Sequence, residues 1–440
     1  MTNRTSRSLA VWSLSLGCPK NRVDSEHLLG SLPVSVKSVR HISRARLVFI
    51  NTCGFISPAV RESVRAVLDA VSAVAHCKRK PLLAVAGCMV GRYGAETLAK
   101  DLPEVDVWLP TASREIWPAI LARALGLPWM PSSKAGGRLL STGPSYAWLK
   151  IAEGCRHRCA FCTIPSIRGT LKSVEAANIL KEAKALLEEG VKELALVAQD
   201  STDWGIDLGL RHGLLPLLED LVRLDGLVWL RLLYLYPAGI TPALLSFIKE
   251  TGPPLLPYLD IPLQHAHPEI LARMGRPFAR DPKRILDVVR GILPEAALRT
   301  TFIVGYPGET EAHFDYLCRF VEETRFQHVG VFAYQAEEGT KAATLPDQVP
   351  NEIKERRKET LMNIQTGISE ACLASYVGKR LPVLVDAAHP EWPGLHIGRV
   401  WFQAPEVDGI TYVSGPGVTP GAMRECDIVE SSVYDLTALA

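Results

Sequence analysis

Cys155, Cys159 and Cys162 stand in a C-x3-C-x2-C row within Glu153-Gly-Cys-Arg-His-Arg-Cys-Ala-Phe-Cys162. The row closes an apolar run, Tyr146 to Ile151, that predicts a strand. Thiolate is the ligand of iron–sulfur clusters, and three thiolates on one turn can grip a single metal centre. A four-iron cubane held by three cysteines keeps one iron open to a ligand that the protein does not supply. Two other readings compete: a zinc site completed by His157, and inert buried thiols. Structural zinc usually pairs two separated C-x2-C or His-x3-His units, and no second unit of that kind stands in the chain.

A second trio is spread through the first quarter of the sequence. Ala10–Leu16, Leu47–Ile50 and Leu82–Ala86 read as short apolar strands ending at Cys18, Cys53 and Cys88, each with a neighbouring glycine (Gly17, Gly54, Gly87). Helical stretches follow at about 21–29, 58–74 and 93–98. Strand–helix alternation predicts a doubly wound parallel sheet, and loops after parallel strands gather on one edge. Cys18, Cys53 and Cys88, spaced 35 residues apart, are therefore expected to meet, as ligands of a second cluster or as small apolar residues packed at strand ends. Cys77, Cys318, Cys372 and Cys426 fit neither trio and read as packing residues.

These residues need a large frame. At 440 residues, with 47% hydrophobic and 22% charged content, the chain suits a soluble protein of two or three domains. A formal charge of +2 makes no general case for nucleic acid. Met1 to Ser8 is polar and basic with no apolar signal core after it, and no run approaches the length of a membrane span. Ten cysteines without an export signal point to a reducing cytoplasm, where clustered cysteines mean metal or catalysis.

From Tyr146 to about Gln335 the strand–helix grammar repeats six times, with strands at 146–151, 193–198, 228–233, 258–261, 298–304 and 329–333. Such units predict a partial (β/α)6 barrel whose active face lies at the carboxyl ends of the strands. Polar residues interrupt the apolar runs there: Gln199 and Asp200, Arg231 and Tyr234, Asp260, Gln264 and His265, then Gly305-Tyr-Pro-Gly-Glu309. Arg231 and Gln264 are the expected holders of a small cofactor, and each polar residue could equally be a satisfied buried group. Arg156, His157, Arg158 and Arg168 put positive charge around the C-x3-C-x2-C row. Asn351 to Tyr376 reads as one long helix whose 354–358 charge run is a solvent face. From Lys379 onward short β runs alternate with Gly/Pro turns, as in a small antiparallel barrel, with four Lys/Arg against eight Asp/Glu, a net of −4. Domains are expected at 8–125, 141–372 and 375–440.

The C-x3-C-x2-C spacing with Phe161 before the third cysteine resembles the radical S-adenosylmethionine superfamily. Both trios, the barrel and the β tail together resemble its methylthiotransferases over nearly the whole chain. The matching stretches are Ser15-Leu-Gly-Cys-Pro-Lys-Asn-Arg-Val-Asp-Ser-Glu26, Asn51-Thr-Cys-Gly-Phe-Ile56, Gly154 to Gly169 and Tyr258-Leu-Asp-Ile-Pro-Leu-Gln-His265. They are most similar to the branch that modifies a ribosomal protein; in the transfer-RNA branch glutamine and methionine typically stand where Pro19-Lys20 stand here.

The resemblance implies methylthiolation of an aspartate β-carbon in the twelfth small-subunit ribosomal protein, and a tail of the TRAM type. It implies two [4Fe-4S] clusters, one on Cys155, Cys159 and Cys162 and an auxiliary one on Cys18, Cys53 and Cys88. It also implies S-adenosylmethionine, for which Phe161, Gln199, Arg231 and Gln264 are the expected contacts read from this chain, and a low-potential electron donor such as flavodoxin or ferredoxin. Thr301 departs from the glycine that many radical enzymes place there. The rival readings are a transfer-RNA adenosine methylthiotransferase with the same clusters, and a binding protein whose clusters only stabilise the fold.

Overall fold

The structure, a computed structural model, describes residues 8–128, 137–276, 278 and 281–440; the opening 1–7 lies outside them. The chain forms two compact units. The first comprises Met1–Ser141, Gly154–His157 and Cys162–Leu171; the second comprises Thr142–Glu153, Arg158–Phe161 and Lys172–Ala440.

In the first unit β1 (Leu9–Ser15), β2 (Val36–Ser38), β3 (Leu47–Thr52), β4 (Leu82–Gly87) and β5 (Val107–Trp108) form a parallel sheet in the order β2-β1-β3-β4-β5. Its helices are α1 (Pro19–Gly30), α2 (Ser57–Ala75), α3 (Cys88–Tyr93), α4 (Ala95–Asp101), α5 (Trp117–Ala124) and α6 (Ile164–Arg168). Successive side chains of a strand face opposite ways, so the fully buried β3 serves two cores. Val48 and Ile50 pack with Val67, Ala70 and Val74 of α2, whereas Leu47 and Phe49 pack with Leu28 and Leu29 of α1 and Trp117 and Leu121 of α5. Each buried aliphatic of this size stabilises the unit by about 1.5–3 kcal/mol. The third helical stretch differs from its expectation. It starts at Cys88 itself and breaks at Gly94, whose φ of +83° ends one helix and opens the next.

The second unit carries β6 (Tyr146–Lys150), a short antiparallel pair of β7 (Ala152–Glu153) with β8 (Lys172–Ser173), then β9 (Glu193–Val197), β10 (Trp229–Leu232), β11 (Leu255–Asp260), β12 (Ala297–Val304) and β13 (His328–Ala333). Strands β13-β12-β11-β10-β9-β6 make one six-stranded parallel sheet, the expected partial barrel. Helices α7 (Ala176–Glu188), α8 (Leu214–Val222), α9 (Pro242–Thr251), α10 (Pro268–Arg273), α11 (Pro282–Ile292) and α12 (Glu311–Thr324) alternate with the strands.

The long helix α13 (Asn351–Ala374) follows the barrel, and its charge run is not the solvent face expected of it. Lys354 and Arg357 are buried, the first over the Tyr334 ring and the second on Glu309, while Glu355 and Arg356 are exposed. The tail closes into a barrel of β14 (Arg380–Ala388), β15 (His396–Arg399), β16 (Thr411–Ser414), β18 (Leu436–Leu439) and β17 (Met423–Ser431). One pairing departs from the antiparallel expectation: β16 and β18 run parallel.

Candidate metal centres and cofactor face

The sheet order 2-1-3-4-5 reverses direction between β1 and β3, and open α/β sheets bind ligands at that crevice. Cys18 follows β1, Cys53 follows β3 and Cys88 follows β4, the three adjacent strands at the reversal. Two glycines make the approach possible. A Cβ on Gly17 would lie 2.8 Å from both Cβ and Sγ of Cys53, and one on Gly54 would lie 2.6 Å from the carbonyl carbon of Cys88. Each cysteine loop therefore sits against the next.

Asn21, three residues after Cys18, ties the loops together. Its Nδ2 donates to the carbonyls of Leu16 (2.8 Å) and Thr52 (3.0 Å), and its own carbonyl accepts Nδ2 of Asn51 at 2.7 Å. Sequence reasoning passed over Asn21, although its place in the Cys18-Pro-Lys-Asn21 turn was a signal. Arg168, expected to decorate the other cysteine row, is buried in the first unit instead. Its Nε donates to Cys88 Sγ at 3.1 Å, its Nη2 donates to Asn21 Oδ1, and its Nη1 lies 3.3 Å from Asp24 Oδ2.

The electrostatics of the trio follow. Burial raises the Cys18 thiol, but the charges of Lys20 and Arg168 and the backbone N–H groups of Asn21 and Lys20 prevail and leave it below its ordinary value. Burial, together with the sulfurs of Cys88 and Cys18, pushes the Cys53 thiol up to about 11. Closely grouped sulfurs that repel one another as thiolates, with guanidinium and amide donors facing them, suit an iron–sulfur cluster.

Of the other row, Cys155 and Cys162 belong to the first unit. The backbone N–H of Cys155 donates to Gly169 at 3.1 Å, and Thr163 Oγ1 donates to the carbonyl of Phe55 at 3.0 Å. Cys159 belongs to the second unit, where Ala160 is held between the carbonyl of Met274 and the N–H of Ala342. Arg276, which carried no sequence signal, donates from Nη1 to Cys159 Sγ at 3.3 Å and from Nη2 to the carbonyl of Pro262 at 2.6 Å. Its guanidinium lies 4.4 Å from the Tyr236 ring centre. Half-buried cysteines with a charged donor again fit a thiolate-bound cluster.

Along the carboxyl edge of the barrel, Gln199 Nε2 donates to Glu153 Oε1 at 2.9 Å, while its buried Oε1 has no hydrogen-bond partner among the described residues. Gln264 holds a φ of +77°, fixed because its N–H and C=O bridge to Thr301 and Ile303 of β12. Tyr234, after β10, has a φ of +58°. Such strain in non-glycine residues gathers at functional edges. Phe161 packs on the cluster of Ala160, Met274, Tyr306 and Tyr334.

Arg231 is a correction. It is fully buried, donates from Nε to Glu193 Oε1 at 2.7 Å and from Nη1 to the carbonyl of Trp401 at 2.8 Å, and lies 4.6 Å from the Tyr258 ring centre. Glu193 opens β9, so Nε is engaged at the amino end of the strands, while the buried Nη2 has no hydrogen-bond partner among the described residues. Asp260 is likewise structural, accepting the N–H of Tyr234 at 3.0 Å.

Three family models match the chain: Radical SAM superfamily over residues 149–321, Uncharacterized protein family UPF0004 over 10–110, and TRAM domain over 377–440. A solved radical S-adenosylmethionine methyltransferase, TsrM from Kitasatospora setae, covers 89% of the chain and 81% of its own length at 12% identity and a TM-score of 0.52, a likeness of fold alone. The barrel and its cysteine row thus make this a radical S-adenosylmethionine protein, the class that works with that cofactor and a [4Fe-4S] cluster.

Curated relatives narrow the class. The chain is 62% identical over 432 residues to the ribosomal protein uS12 methylthiotransferase RimO of Nitratidesulfovibrio vulgaris (strain ATCC 29579), with 98% of the chain and 100% of the relative covered. It is 58% identical to that of Oleidesulfovibrio alaskensis (98% and 100% covered) and 42% identical to that of Aquifex aeolicus (97% and 96% covered). The chain belongs to the RimO family of radical S-adenosylmethionine methylthiotransferases.

Proposed function

We propose that this chain adds a methylthio group to the β-carbon of an aspartate in ribosomal protein uS12. The full-length likeness to relatives named for that activity carries the reading. When bound, two [4Fe-4S] clusters and S-adenosylmethionine would supply the radical and methyl chemistry that side-chain acid–base chemistry lacks, with the electron coming from a low-potential donor.

The chain's own residues hold and orient these groups. Cys155, Cys159 and Cys162 hold one cluster, with Arg276 donating to Cys159. Cys18, Cys53 and Cys88 hold the other, with Asn21 fixing the loops around it. Gln199 and Gln264 are the edge residues best placed for S-adenosylmethionine: the first offers a buried carbonyl oxygen without a hydrogen-bond partner among the described residues, the second a side chain on a strained, bridged backbone. Phe161 shields the cluster loop by packing on Tyr306 and Tyr334.

The tail suits a basic protein substrate. Asp386, Asp408, Asp435 and Arg399 are tied inward, which leaves Glu391, Glu406, Glu425, Asp427 and Glu430 exposed against Lys379, Arg380 and Arg424. Five carboxylates against three cations attract a cationic partner and repel a phosphate backbone. A low-potential donor of the flavodoxin or ferredoxin type completes the system in a reducing cytoplasm. The test is to incubate the reconstituted enzyme with uS12 and with transfer RNA and to weigh the products. A methylthio mass gain on the protein is expected; a gain on RNA alone overturns the reading.

A further inference from the structure

We propose that Arg168 is a positioning residue of the auxiliary centre: its Nε–H, aimed at the sulfur of Cys88, raises the reduction potential of the cluster held there. The inference rests on the reading of Cys18, Cys53 and Cys88 as cluster ligands.

Arg168 is 7% exposed, a buried charge that must be compensated. Nη1 lies 3.3 Å from Asp24 Oδ2, Nη2 donates to Asn21 Oδ1, and Nε donates to Cys88 Sγ at 3.1 Å. The guanidinium is locked from every side. Asn21 is itself pinned to Leu16 and Thr52, and the carbonyl of Ile167 lies so close to Gly91 of α3 that a Cβ there would stand 2.9 Å from it.

The donor also sits at a particular place in the chain, six residues after Cys162, at the end of α6. Thr163 at the start of the same segment donates to Phe55, two residues after Cys53. One short segment after the C-x3-C-x2-C row thus touches the turns of all three auxiliary cysteines, through Phe55, Cys88 and Asn21. Hydrogen bonds to ligand sulfur stabilise the more negative, reduced state of a cluster and raise its potential. Removing the Nε donor should make the auxiliary cluster harder to reduce without emptying its site.

The experiment uses the full chain with Cys155, Cys159 and Cys162 changed to alanine, reconstituted with iron and sulfide. About four irons per chain are expected for one cubane; none would overturn the ligand reading and this proposal with it. Two further variants are then compared in that background. Arg168→Met is combined with Asp24→Asn so that no buried carboxylate is stranded, and Arg168→Lys keeps the charge without an Nε donor. Both should retain iron and lose one exchangeable proton coupled to the reduced cluster in pulsed electron paramagnetic resonance. The reduced-to-oxidised ratio at fixed potential should fall about tenfold, ~59 mV for a one-electron couple. Iron retained with unchanged proton coupling and potential overturns the role of Arg168 while leaving the cluster reading intact. Loss of iron in both variants overturns it as well, by making Arg168 a residue of folding.

Discussion

Glu193 Oε2 accepts Arg399 Nη1 at 2.5 Å while its Oε1 accepts Arg231 Nε at 2.7 Å, so one buried carboxylate joins β10 to β15 of the tail barrel. Asp386 adds two further bonds to Arg399. Burial raises the Glu193 carboxyl, but the two guanidiniums outweigh it and hold it below the usual carboxylate range. Its contribution is therefore present above the unfolded value and lost as pH falls through the lower folded one. Glu193→Gln leaves Arg399 on Asp386 but takes the carboxylate from the buried Arg231, and should cost about 3–5 kcal/mol. Urea unfolding followed by tryptophan fluorescence measures this; an unchanged midpoint would contradict it.

That network shows where the sequence stopped being legible. The alternation of apolar strands with helices foretold the parallel sheets, and the trios marked the candidate metal centres, because spacing and residue type are local properties. Arg231 was misread because a polar residue inside an apolar run looks the same at either end of a strand. Its partners Glu193 and Trp401 are remote in sequence. Arg168 was placed with the nearer cysteines for the same reason, whereas folding aims it at Cys88, 80 residues earlier. Val36–Ser38 and Val107–Trp108 are too short to carry a period at all.

His265 and Glu309 should together hold a single proton. Burial, with the charges of His267, His313 and Arg357, pushes the ring of His265 down to about 3; burial pushes the carboxyl of Glu309 up to about 7 against the pull of Arg357 and two backbone N–H groups. Their atoms lie 3.7 Å apart. The histidine's contribution is present above its unfolded value near 6.5 and lost on acidification toward 3; the glutamate's is present below its unfolded value near 4.5 and lost as pH rises through 7. Between about 4.5 and 6.5 the two slopes cancel. Glu309→Gln should leave stability rising with pH there by about 1.4 kcal/mol per unit, and His265→Asn should leave it falling by as much. Denaturation midpoints across that range decide; two flat profiles would dismiss the pair.

Gly54 should be as necessary to the auxiliary centre as its cysteines. A Cβ at that position meets the backbone of Cys88 and Met89 at 2.6 Å, and backbone cannot swing aside as a side-chain tip can. Gly54→Ala must push the Cys53 loop off the Cys88 loop. The expected result is a folded chain that binds about half the iron of the wild type, and still cleaves S-adenosylmethionine when reduced. Full iron content in this variant would mean that the loops need not touch.

Arg276 offers the matching test at the other centre. Its donation to Cys159 Sγ at 3.3 Å and to Pro262 at 2.6 Å, with the ring of Tyr236 against its face, fixes the middle cysteine from the barrel side. Lysine cannot reproduce a planar fork that serves a sulfur and a carbonyl at once. Arg276→Lys should keep its iron yet slow reductive cleavage of S-adenosylmethionine by about 10- to 100-fold, the usual cost of losing a group that orients a metal ligand. The production of 5′-deoxyadenosine by the reduced variant measures this, with iron analysis on the same sample. A wild-type rate would mean that Cys159 is held well enough by Met274 and Ala342 through the backbone of Ala160, and that the arginine serves the fold alone.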